Sequence, residues 1–161
     1  MAAVSVANGV VFAGSMANKS QSPTMFALDA KTGEPLEGFG DGGQASVILD
    51  VLKQQYPDVE TAISMGYWFT TAPQMHNGVL YVGSTRSESR IPGGHVLAID
   101  GKTGEVLWHF NTVPGAKDGT GTWPNPENIV LGGGGVWTPL SLDPETEELY
   151  VAVTNRVGPV P

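Results

Sequence analysis

The chain has 161 residues, with no cysteine, 22 glycines, 12 prolines and a formal charge of −8 at pH 7. Its apolar content is ordinary and its glycines follow no three-residue period, which excludes collagen and makes disorder a poor reading; the acidic balance opposes binding to phosphate, so no nucleic-acid partner is expected. The missing thiols exclude disulfides, thiolate zinc sites and cysteine nucleophiles, and no stretch reaches the roughly 18–20 consecutive apolar residues that span a bilayer.

The opening MAAVSVANGVVFAG lacks a basic leader, and Asn8-Gly9 interrupts its apolar run, so it reads as strand and turn rather than as a targeting segment. Asn8-Gly9-Val10-Val11-Phe12-Ala13-Gly14-Ser15 returns as Asn77-Gly78-Val79-Leu80-Tyr81-Val82-Gly83-Ser84. Ala27-Leu28-Asp29-Ala30-Lys31-Thr32-Gly33-Glu34 returns, in the same order, as Ala98-Ile99-Asp100-Gly101-Lys102-Thr103-Gly104-Glu105, and Glu148–Thr154 is a third copy of the first element. Each unit reads as an Asn-Gly turn, a strand, a variable loop, another strand, a tight Asp-x-Lys-Thr-Gly turn and an outer strand ending near Trp108. In that turn the aspartate can accept backbone N–H bonds from two and three residues on, and the glycine can take a positive φ. A calcium loop is excluded because Lys31 and Lys102 occupy the second ligand position.

Repeated four-stranded units predict an all-β fold, a partial β-propeller of about two to three blades. Closure needs at least about four blades, so residues 1–161 are expected to be a fragment of a single propeller domain, with the remaining blades of the parent chain as their structural partner. Ser46–Tyr56 has weakly helical spacing stopped by Pro57, which predicts a short surface helix in an insertion at about 40–63. A second long loop is expected at about 114–131, where Gly, Asn and Pro accumulate. Asp143, in Leu142-Asp143-Pro144-Glu145, reads as a hairpin turn. His76, His95 and His109 stand singly and support neither a zinc site nor a histidine-based triad. Gly132–Gly135 lacks the Lys-Ser or Lys-Thr that a phosphate cradle needs.

Ala98-x-Asp100-x-x-Thr103-Gly104-x-x-x-Trp108 resembles the tryptophan-docking motif of quinoprotein dehydrogenases, in which the indole packs against the neighbouring blade. The first copy departs from it, with Glu37 in place of the tryptophan. Gly66–Pro73 (GYWFTTAP), Val82–Glu88 (VGSTRSE), Gly133–Trp137 (GGGVW) and Leu149–Asn155 (LYVAVTN) are together similar in order and spacing to the pyrroloquinoline quinone (PQQ) dehydrogenases. Gly38-Phe39-Gly40-Asp41-Gly42-Gly43 looks more like their glucose and polyol branch than their methanol branch.

The resemblance implies an eight-bladed quinoprotein propeller of which this chain is a minor part. It implies Glu88 as the carboxylate ligand of a Ca²⁺ ion and Asn155 as its amide-oxygen ligand, a hard-oxygen donor set that suits calcium. It further implies Trp137 as the aromatic floor under PQQ, Thr70 as a hydroxyl bonded to the cofactor, and the glycines up to Gly135 as backbone able to approach its ring. Outside the family's pattern, Arg86 has three open readings: a pair with a PQQ carboxylate, a pair with Glu88, or a solvated side chain. The implied activity is oxidation of an alcohol or aldose by hydride transfer to PQQ, with electrons passed to a quinone or cytochrome, in the periplasm. No residue here matches the family's catalytic aspartate, so the isolated fragment is expected to be inactive. The open alternatives are a non-catalytic quinoprotein-like propeller acting as a scaffold, and a generic sugar- or peptide-binding propeller.

Overall fold

The computed structural model describes residues 4–15, 24–55, 67–85, 93–113, 132–154 and 156–157. In the first sheet β1 (Val4–Ala7), β2 (Val10–Gly14), β3 (Met25–Asp29) and β4 (Gln44–Ala45) follow one another as antiparallel neighbours. A helix, α1 (Val47–Gln55), follows directly. In the second sheet β5 (Trp68–Phe69) and β6 (Gln74–His76) are two halves of one broken edge strand, both paired with β7 (Val79–Thr85). From there β8 (His95–Asp100) and β9 (Val106–Asn111) continue outward. The sheets are two propeller blades. A third blade contributes β10 (Gly132–Gly133), the β11 (Ser141–Asp143) to β12 (Glu148–Tyr150) hairpin, and β13 (Arg156–Val157), which pairs with β10.

Both Asn-Gly turns take positive φ at both residues, 52° and 79° at Asn8-Gly9 and 47° and 82° at Asn77-Gly78. That backbone matches the twist of the flanking strands, and asparagine tolerates it better than most residues. The Asp turns repeat equally closely. Asp29 Oδ1 accepts from the Lys31 and Thr32 amides at 2.8 Å each, and Asp100 Oδ1 from the Lys102 and Thr103 amides at 2.9 and 2.7 Å. These donors hold both carboxyls below the usual aspartate range. Asp143 forms the same kind of loop with Glu145 and Thr146, but its position four residues on is Glu147 at φ 58°, not glycine.

Period-two alternation sends the residues of the second blade to two different cores. Leu80, Val82, Leu97 and Ile99 face the first blade with Phe12, Met25, Ala27 and Phe39, whereas Tyr81 and Val96 face the third with Val136 and Leu140. Central β8 is consequently buried at His95 through Ile99. The blades are also joined by main chain. The Phe69 amide donates to the Ser15 carbonyl at 3.1 Å, and one unit later the Val136 amide donates to the Ser84 carbonyl at 3.4 Å. Beside each junction a glycine admits the next blade: a Cβ on Gly14 would stand 2.4 Å from Phe69 Cβ, and one on Gly83 would stand 2.3 Å from Val136 Cγ1.

Three sequence expectations change. The predicted surface helix exists but is not a surface element, because Val47, Ile48, Val51 and Leu52 share one face and are buried in the core between the first two blades. Each such side chain contributes about 1.5–3 kcal/mol when removed from water, which outweighs a modest helix propensity. Trp108 lies tilted against Tyr81 of its own sheet, with ring centroids 6.1 Å apart, and stays 45% exposed rather than buried against a neighbouring blade. In the first unit Phe39, two residues beyond Glu37, makes the corresponding contact with Phe12 at 6.0 Å and is itself buried. The third copy of the first element is regular strand only over Glu148–Tyr150.

Candidate cofactor site

The end of the blades opposite the Asn-Gly turns brings together the described residues of the expected site. Thr70 follows β5, and its hydroxyl donates to the Trp137 carbonyl at 3.3 Å, although 67 positions separate the two residues. Trp137 is 56% exposed while Val136 beside it is fully buried, so a fixed backbone presents an exposed aromatic residue. Gly135 is buried, and its carbonyl accepts from the Thr154 amide at 3.0 Å. The structure thus unites Thr70, Trp137 and Gly135.

Glu88, Asn155 and Arg86 lie outside the described residues, as does the 114–131 segment. The chain on either side of the two expected metal ligands is described. Thr85 pairs with Trp68, two residues before Thr70, and at the far end of the 86–92 segment the Gly94 amide donates to the Gly134 carbonyl at 3.0 Å. Thr154 is bonded to Gly135 and Arg156 pairs with Gly133, so both neighbours of position 155 are fastened to the glycine run that leads to Trp137. The Thr154 hydroxyl is buried and has no hydrogen-bond partner among the described residues.

Sequence reasoning missed the layer beneath this surface. The Thr112 hydroxyl accepts from the Gly94 amide at 2.9 Å and also bonds the Gly134 carbonyl, tying the second blade to the third. A Cβ on Gly134 would meet Val113 Cγ2 at 2.5 Å, so this glycine is needed for packing against its own protein as well. Tyr67 donates its hydroxyl to the Gly93 carbonyl at 2.9 Å and stands edge-on to His95 at 5.1 Å. His95 is fully buried, and neither ring nitrogen has a partner among the described residues. Burial, aided by the neighbouring His109, lowers its pKa to about 4. Its only sequence signal is a histidine at the head of an otherwise apolar strand.

An exposed aromatic plate, an adjacent hydroxyl and a buried hydroxyl with no partner among the described residues suit a flat, oxygen-rich molecule. Comparison with known proteins decides the family. The profile described as "PQQ: Glucose/ethanol/alcohol dehydrogenase, beta-propeller domain" matches residues 9–158. This chain belongs to that family. Among the curated relatives of this quinoprotein chain, quinohemoprotein alcohol dehydrogenase ADH IIB of Pseudomonas putida is 32% identical over 142 residues, which cover 81% of the chain and 18% of the relative. The glycerol dehydrogenase large subunit of Gluconobacter oxydans (strain 621H) is 33% identical over 90 residues, covering 54% and 11%.

Among solved structures, quinohemoprotein alcohol dehydrogenase ADHIIG from Pseudomonas putida HK5 superposes with a TM-score of 0.65 at 30% identity, over 95% of this chain and 20% of that one. A europium-containing methanol dehydrogenase gives the same TM-score at 23% identity, over 94% and 25%, and supports the fold alone. The quinoprotein chain spans about a fifth of the length of the curated relatives it matches over most of its own length.

Proposed function

We propose that this chain is the part of a PQQ- and Ca²⁺-dependent dehydrogenase that carries one wall of the cofactor site, in a protein that oxidises alcohols or aldose sugars. The observation that supports it most is the hydrogen bond between Thr70 and the Trp137 carbonyl, which fixes an exposed indole beside a hydroxyl across a blade junction. Bound PQQ would supply a carbonyl that accepts hydride, with a metal ion as Lewis acid.

The chain's own residues bind and orient. Trp137 offers a rigid plate that stacks on a planar ring and excludes water from one face. Thr70 already donates to Trp137, and its oxygen lone pairs remain available to a donor or an ordered water. Gly135 holds the main chain close beneath, through Thr154. Glu88 is proposed as the charged ligand of the metal and Asn155 as its neutral one, a hard-oxygen pair of net charge −1 that leaves further positions for cofactor oxygens. The glycine run that anchors both neighbours of position 155 leads into Trp137, so metal and ring would share one support.

No residue of this chain is proposed as the catalytic base, so residues 1–161 alone are expected to be inactive. The remaining blades, a quinone or cytochrome acceptor and a periplasmic location complete the proposal, on the strength of the family. The test is reconstitution of the full-length protein with PQQ and Ca²⁺, comparing wild type with Glu88→Ala and Trp137→Ala. Loss of a direct ligand should weaken metal-dependent PQQ retention by roughly tenfold or more, since even residues that merely support a ligand cost that much. Unchanged retention in both variants defeats the assignment, and a wild-type protein that retains no PQQ points to the scaffold reading instead.

A further inference from the structure

At the Asn-Gly end of the first two blades, away from Trp137, lies a cleft of about 410 Å³ walled by Phe12, Leu36, Phe39 and Met75, with Glu37 and Lys102 also in its lining. We propose that it is a binding site for a planar heteroaromatic ring of indole size that carries an N–H donor.

The internal repeat supplies the first argument. Eight residues after Asp100 the second unit has Trp108, whose ring lies against Tyr81; eight residues after Asp29 the first unit has Glu37, which lines the same cleft as Phe12, the counterpart of Tyr81. Phe39 reaches Phe12 from two residues further along, but a single phenyl ring leaves the remaining space open to one side. Phe39 thus takes over the contact that Trp108 makes in the second unit, and the cleft is the space left beside it, at the position where the second unit carries the larger indole.

The lining supplies the second. The partly exposed Val10, Leu36 and Met75, backed by the buried Phe12 and Phe39 rings, form an apolar, polarisable wall, and methionine adapts its shape to a guest. Met75 can lie there because position 101 has no side chain: a Cβ on Gly101 would stand 2.6 Å from Met75 Cε. Charge is confined to exposed Glu37 and Lys102, so a ring can enter without burying an ion, and the Glu37 carboxylate offers an acceptor to a ring N–H. The volume lies in the range of small-molecule sites.

The experiment uses the full-length protein and indole as the probe. Calorimetric titration should give saturable binding, and indole should raise Tm in a concentration-dependent way. Glu37→Trp, which supplies an indole in cis, should itself raise Tm and abolish the indole response. Because that variant can misfold, wild-type crystals soaked with 5-bromoindole give an independent answer, with anomalous bromine density expected in the cleft beside Leu36 and Met75. Absence of saturable binding, equal binding to a folded Glu37→Trp variant, or bromine density only elsewhere overturns the proposal.

Discussion

Replacing Gly83 by alanine tests how blade packing reaches Trp137, the proposed cofactor plate. The new methyl would stand 2.3 Å from Val136 Cγ1, 2.8 Å from its Cβ and 3.0 Å from its carbonyl oxygen. Comfortable carbon contacts begin near 3.5 Å, so Val136 must retreat by more than about 1 Å. Overpacking of this kind costs about 1–3 kcal/mol. The retreat also pulls on the Val136 amide, whose bond to Ser84 is already 3.4 Å long, and on Trp137, the next residue. A displacement of about 1 Å in a positioning group can lower a rate about 100-fold. In the full-length protein Gly83→Ala should therefore lower both thermal stability and PQQ retention. Val136→Ala removes the nearest clashing atom, so the double variant should be more stable than the two single effects predict when added, with a coupling of about 1–2 kcal/mol. Wild-type stability and retention in Gly83→Ala, or strict additivity in the cycle, would refute the reasoning.

His95 should impose an acid limit. Its folded pKa of about 4 lies below the ordinary 6.5, so the unfolded chain binds the proton first and the contribution, complete above pH 6.5, is lost as pH falls towards 4. Stability measured across that window should fall by up to roughly 3 kcal/mol in wild type and by clearly less in His95→Phe; equal slopes would show that another group titrates. Glu147 holds φ 58° in a place where the two related turns have glycine, so Glu147→Gly should gain up to about 1 kcal/mol in denaturant unfolding. The exposed contacts it gives up, to Asn77 at 3.5 Å and His76 at 3.9 Å, are worth little, and a loss of stability would show otherwise.

The parts of the fold that were legible in the sequence are those with local causes. An Asn-Gly pair needs only its own φ angles, and an aspartate two residues before a free amide needs only its neighbours, so both turn types could be read directly. Burial of α1 was not legible, because spacing defines an apolar face without naming what covers it. Nor was the role of Phe39: the motif places a ring eight residues after the aspartate, and only the folded chain shows a different ring reaching Phe12. At the candidate site, resemblance picked out Thr70, Trp137 and Gly135, which the structure unites. The supporting Thr112, Tyr67 and His95 belong to no short pattern, since their partners lie on other strands.

The glycine socket and the residue that fills it are carried by the same unit: Gly83 receives the blade that follows, while Phe69 of the same blade enters Gly14 of the one before. Duplicating one whole unit therefore adds one receptor and one insert together, and the join needs no fresh surface. Such a ring can gain or lose members in evolution by copying alone, and its chemistry can diverge in the connecting segments while the seams stay unchanged.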